Sequence, residues 1–299
     1  MIDRDPRLPR LVARPLRAAV EALRRFNAKG GWVLSSHVAM SIMLALFPFI
    51  LFVVALGGFL SGHFDIVTYV EDREALNETA ELIFGAWPDA IQAPIVAELR
   101  RVLAADNTSL MTVGGLLTLF FASNGVDAVR EAMTRAYHDI DTRPYLKTRA
   151  LCLAFVLLGA VAVLAAGALA VAGSLYTRLA VEQLDWSALD WLARGGFGVI
   201  VIDAMPVIMV LAAHYWLPAR RHSLRQILPG VALTILGWMA AGRAFSWYVA
   251  AFGSYSATYA GLAGAMAALI FLYLISAILI LGAEFNGALI DMSDDTSAE

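Results

Sequence analysis

The sequence predicts an all-α fold, a polytopic membrane helical bundle, on three observations. Apolar stretches recur six times, at 32–60, 109–124, 146–176, 197–217, 227–251 and 259–290. Hydrophobic residues make up 60% of the 299 and mean hydropathy is +0.70, which leaves no room for a soluble reading. Lys and Arg crowd into every second connection between the stretches. Most stretches exceed the roughly 20 residues that cross about 30 Å of hydrocarbon at ~1.5 Å per residue.

The segment 1–31 carries Arg4, Arg7, Arg10, Arg14, Arg17, Arg24, Arg25 and Lys29. Leu16, Val20 and Leu23 recur among them at helical spacing. A short helix lying on an anionic leaflet fits this pattern, and so does a solvated basic tail. These cations lack aromatic stacking partners and any recognisable binding module, so no nucleic acid is expected as a partner. No small-x-small cleavage site follows a short apolar core, and 32–60 is already a full span, which argues against a cleavable signal.

The next connection, 61–108, is too long for a turn. Leu76, Thr79, Leu82 and Ile83 alternate there with Glu71, Asp72, Glu74, Glu78 and Glu81. Ile95, Leu99, Val102 and Leu103 form a second stripe beyond Pro88 and Pro94. The prediction is an extracytoplasmic cap of two amphipathic helices between spans one and two. Its acidity either collects cations at an entrance or is simply a solvated face.

Span two, 109–124, is the shortest and draws on the turn after Asn124 to complete its crossing. Arg130, Arg135, Arg143, Lys147 and Arg149 follow it, and Arg220, Arg221 and Arg225 follow span four. With the N-terminal cations, sixteen basic residues lie on one side of the membrane and five on the other. By the positive-inside rule both termini are cytoplasmic, and an even number of spans agrees. Trp32, Tyr145, Tyr215 and Trp216 mark the cytoplasmic interface. Cys152, the only cysteine, allows neither an intrachain disulfide nor a thiolate metal cluster. The acidic tail 291–299 is expected to be disordered. Without long repeats or linkers, 1–299 reads as a single membrane domain.

Two polar groups stand out inside the spans. Asp203 and Arg243 lie at matched depths in spans four and five, whose short connection makes them antiparallel neighbours. A buried pair follows, either a charged site or gate, or a neutralising contact that fixes register. At the cytoplasmic side Ser35, Ser36, His37, Ser123, Asn124, Glu284 and Asn286 end their spans. If His37 and Glu284 meet, they form a proton relay; otherwise these groups satisfy helix ends. Pro48, Pro206 and Pro229 are candidate helix kinks. Small residues recur at Ala166, Ala170 and Ser174, and at Gly261, Gly264, Ala265 and Ala268. They provide for close packing and, as an extra, homodimerisation.

His37, His63, His138, His214 and His222 show no metal-ligand spacing, and no Walker loop or nucleophile elbow is present. No metal, cofactor or catalytic residue is expected.

Several segments resemble one known family. They are LSSHVAMSIMLALFPFILF from Leu34, FASNGVDAVREAMTRAYHDIDTRPY from Phe121, and YWLPARRHSLRQILPGVALTILGW from Tyr215. The last is YAGLAGAMAALIFLYLISAILILGAEFNGAL from Tyr259, with its G-A-E-x-N element at Gly282, Ala283, Glu284 and Asn286. Together these are similar to the YihY/BrkB family of bacterial inner-membrane proteins, over about 31–289. The resemblance implies a six-span inner-membrane protein. Members have been called virulence or serum-resistance factors, and others ribonuclease BN. The expected function is transport of an ion, small polar solute or lipid through an Asp203–Arg243 site, with Glu284 and Asn286 at the internal mouth. The alternatives are a structural scaffold and a membrane-bound nuclease.

Overall fold

A computed structural model describes residues 10–64, 113–184, 196–251 and 260–298. The cap expected over 61–108 lies almost wholly outside them. All regular structure among the described residues is helical. In chain order the helices are α1 (Arg10–Ala28), α2 (Gly31–Phe64), α3 (Val113–Ala136) and α4 (Tyr145–Leu184), then α5 (Phe197–Trp216), α6 (Leu224–Ala251) and α7 (Ala260–Ala298).

Four segments are long and apolar enough to cross a membrane: Tyr145–Ala170, Phe197–Trp216, Leu224–Tyr248 and Gly264–Ser293. The shortest, at 20 residues, gives about 30 Å of helix, the thickness of the hydrocarbon layer. Within α2, Gly31–Leu46 is a shorter apolar helical segment. Leu44, Leu158, Ile208 and Leu236 stand exposed on the outside of the bundle, as lipid-facing side chains do.

The bundle is built around α7, which packs on α1, α2, α3 and α6, while α4 closes the other side against α3 and α5. The main core, with Val38, Met133, Val210, Ile227 and Ile280, also contains Phe26 of α1. It therefore sits at the end of the bundle that α1 covers, the basic end. A smaller cluster of Phe245, Ala268 and Phe271 lies further along α6 and α7.

Turn chemistry fixes how the chain enters and leaves this end. α1 stops at Gly30, whose φ of +69° a side chain would resist. Its carbonyl then accepts from Leu34 N–H to start α2. α3 ends in a Schellman motif: Asp139 N–H donates to Thr134 O and His138 N–H to Arg135 O. His138 occupies the left-handed position, φ 60°, where glycine is usual. α6 begins at Ser223, whose N–H and hydroxyl both bond Gln226 Oε1, half of a capping box.

α6 and α7 touch backbone to backbone. A Cβ on Gly230 would lie 2.2 Å from Gly282 O, and one on Gly282 would lie 2.8 Å from Gly230 O. The predicted small-residue stripes are partly used, since Ala166, Ala170 and Ala268 are buried. It is the glycine crossing, however, that lets the two backbones meet, with the side chains of Thr234 and Asn286 packed against it. α2, α5 and α6 run as helix through Pro48, Pro206 and Pro229.

At the C-terminus α7 continues to Ala298. Asp291, near that end, is held by Arg25 Nη1 at 2.6 Å, which ties this part of the helix to α1.

Candidate functional site

Five segments remote in sequence bring polar side chains together at the basic end. Asn286, fully buried on α7, uses its whole amide. Its Oδ1 accepts from Gly230 N–H at 2.6 Å, and its Nδ2 donates to Ile227 O and to Tyr137 Oη, both at 2.9 Å. The sequence around α6 explains the opening. Pro229 supplies no N–H to the helical ladder, and the next N–H, that of Gly230, is capped by Asn286.

Tyr137 Oη, which accepts from Asn286, also shares a hydrogen bond with His214 Nδ1, 2.7 Å away. The other ring nitrogen of His214, Nε2, is buried without a hydrogen-bond partner among the described residues. Tyr137 also stacks on His222 at 4.6 Å, and His222 Nε2 lies 3.6 Å from Asp139 Oδ2. Asp139 in turn accepts from Arg220 N–H, which joins the α3–α4 and α5–α6 connections.

A second, charged layer covers this centre. Glu284, with only 3% of its side chain exposed, takes Lys29 Nζ at 2.8 Å and 3.0 Å on its two oxygens. Lys29 also donates to Arg135 O, so one ammonium spans α3 and α7 from the end of α1. His138 lies between two carboxylates, 3.8 Å from Glu284 and 3.6 Å from Asp291. Burial first, then the nearby Lys29 and Arg25, hold its imidazole pKa below the usual value. Further out, Glu21 hydrogen-bonds Arg24 and Arg25, which bring its pKa down to about 2. A chain of charges thus runs Glu21, Arg25, Asp291, His138, Glu284, Lys29.

A third set braces the α3–α4 connection. Arg130 joins Asp127 and Asp141, while Arg143 chelates Asp141 and donates to Leu217 O at 2.9 Å. The Arg143 hydrogen bond holds the Asp141 carboxyl below its ordinary pKa. Among the described residues no group of His, Cys, Asp and Glu is placed to hold a metal ion.

The predicted site residues fall into two groups. Glu284 and Asn286 stand at the centre of the basic end. Asn124 lies at its edge, exposed, with Oδ1 accepting from Arg149 Nη1. His37 is exposed and does not meet Glu284, whose partners are Lys29 and His138. The reason is rotation: Ser35, Val38 and Ala39 form the buried face of α2 and His37 falls outside it. Asp203 and Arg243 are both exposed, and no ion pair joins them among the described residues; Arg243 donates to Met239 O on its own helix. Their depths match, but depth along a helix leaves azimuth open, and both side chains point off the shared interface.

Four participants escaped the sequence reading: Lys29, Tyr137, His214 and Gly230. His214 carried a usable signal, an ionisable group in an apolar span. Lys29 looked like one of many interfacial cations.

Among known protein families, residues 22–299 match the one described as Virulence factor BrkB. The chain belongs to the BrkB family. Among curated relatives, the putative ribonuclease-like protein YfkH of Bacillus subtilis (strain 168) is 27% identical over 277 residues. That alignment covers 90% of this chain and 94% of YfkH. The UPF0761 membrane protein of Tolumonas auensis is 27% identical over 192 residues, 62% of this chain and 60% of that protein. No solved structure matches. This BrkB-family chain is thus a membrane protein with several apolar helices, and the Glu284–Asn286 element lies inside the matched region.

Proposed function

We propose that the protein is a multi-pass inner-membrane protein of six spans, with both termini cytoplasmic, that passes an ion, small polar solute or lipid. In this reading the basic end is the internal mouth, and α1 is the element that closes it. The observation that carries it is Glu284: a buried carboxylate on a membrane-spanning helix, reached by one lysine from the turn that follows α1. Ionisable groups inside spans are costly and mark pathways by default. A lysine carried on the turn after α1 makes the closure reversible, because withdrawing α1 takes that cation away and opens Glu284.

Asp203 and Arg243 are then separate in the closed state and approach one another when the bundle rearranges. The exposed stripe of Leu16, Val20 and Leu23 supports the placement of α1 on the anionic leaflet, since its other face, Ala18, Ala22 and Phe26, is already buried.

A scaffold is the second reading, favoured by the complete satisfaction of Asn286. One experiment separates the two. In a Cys152→Ala background, Ser276→Cys places a thiol at a buried position on α7, beyond Glu284 from the mouth. Transport predicts slow labelling by an impermeant thiol reagent from the basic side, made faster by Lys29→Gln. Equal protection of both proteins, with loop controls labelled, would support the scaffold.

A further inference from the structure

A cleft of about 270 Å³ opens at the basic end between the start of α4 and the α5–α6 connection. Arg143, Lys147, Leu151, Trp216, Pro218 and Arg221 line it. It belongs neither to the Asn286 network nor to the Lys29–Glu284 layer. Its size is below the roughly 300–1,000 Å³ of drug-sized ligand pockets and suits a compact group.

The electrostatics are one-sided. Arg143 is already engaged by Asp141 and Leu217 O, which fixes it as a wall. Lys147 and Arg221 have no carboxylate or side-chain hydrogen-bond partner among the described residues. Two uncompensated cations face one small cavity, and the complementary ligand is an anion, best a phosphate.

What surrounds the cleft decides the source of that phosphate. Trp216 sits 47% exposed at its edge, with its ring against Phe155 at 6.3 Å. From the cleft toward the bilayer interior, Leu151 and Leu158 continue along one face of α4. Met209, two turns back from Trp216, continues along the facing α5, with Ile208 beside it. Leu158, Ile208 and Met209 are all more than half exposed. A charged cup at the interface thus sits at the end of two packed spans that carry exposed apolar side chains. Free phosphate would use only the cup.

We propose that this cleft is a binding site for an anionic phospholipid. The headgroup phosphate takes Lys147 and Arg221, and an acyl chain lies along the exposed apolar side chains of α4 and α5. Bound there, the lipid bridges α4 to the α5–α6 connection, at a place where protein side chains supply only cations.

The test is native mass spectrometry of the full chain in detergent micelles, titrated with phosphatidylglycerol or with phosphatidylcholine of the same acyl chains. Preferential retention of phosphatidylglycerol is expected. Lys147→Gln and Arg221→Gln should each weaken it about fivefold, and together about twenty-five-fold. Arg135→Gln, at the same end but paired with Glu131 outside the cleft, should leave it unchanged. Either single variant serves if the double variant does not elute like wild type. Equal retention of the two lipids by wild type would overturn the proposal, as would unchanged binding in the single variants. An equal loss in Arg135→Gln would replace the site with a diffuse surface field. Displacement of the lipid by millimolar inorganic phosphate would assign the cup to the free ion.

Discussion

Lys29 and Glu284 form an ion pair at the basic end whose carboxylate is almost wholly buried. Removing one partner of a buried ion pair costs about 3–5 kcal/mol relative to the intact pair, because the other charge is left uncompensated. Lys29→Met alone is therefore expected to destabilise the protein by about 3 kcal/mol, while Lys29→Met with Glu284→Leu recovers most of that. Reversible unfolding in mixed micelles checks the order of the three proteins. Asn286→Ala orphans Gly230 N–H and Ile227 O at once, and a loss of about 2 kcal/mol is expected in the same assay. His138 supplies a pH dependence. Its folded pKa is lowered, so the unfolded chain binds the proton first as pH falls. Stability is full above about pH 6.5 and declines from there toward the lower folded value. His138→Asn, which keeps a residue tolerant of φ 60°, should flatten that decline in melting temperatures taken from about pH 7.5 to 5.

At the scale of elements, the apolar stretches and their ends were legible because each obeys a local rule. Hydrophobic length announced α4 to α7, and Glu284 and Asn286 stood out as polar groups closing the last helix. The network was not legible, because Tyr137, His214 and Gly230 come from three different helices or their ends and meet only through packing. Asp203 and Arg243 show the same limit from the other side: residue counting gave their heights, and the helix faces that tertiary contacts chose turned them apart. The Arg25–Asp291 contact, which ties α7 to α1, was likewise beyond composition to show. The α1–α2 joint depends on one backbone conformation. Gly30→Ala has open space for its methyl but is strained in φ, so a cost of about 1–2 kcal/mol is expected, read as a lowered melting temperature. The same change should speed labelling of Ser276→Cys, because α1 then holds Lys29 less firmly.

For the whole molecule, the division of sixteen basic residues against five makes a definite topological statement. Alkaline phosphatase fused within 61–108 should be active, and fused after Glu299 inactive, if six spans place both termini inside. An active C-terminal fusion would remove the proposed orientation and, with it, the assignment of the basic end to the internal mouth.

The glycine contact between α6 and α7 bears on how such a molecule could change shape. At Gly230 and Gly282 backbone lies against backbone, and the side chains of Thr234 and Asn286 pack on the crossing. Further along, Trp238 of α6 donates to Ile275 O of α7 and adds an anchoring bond. The two helices therefore behave as one welded spar. If the protein works as proposed, the motion falls to α1, α2 and the α4–α5 pair around that spar, and variants that loosen the weld should disable it by making it undirected.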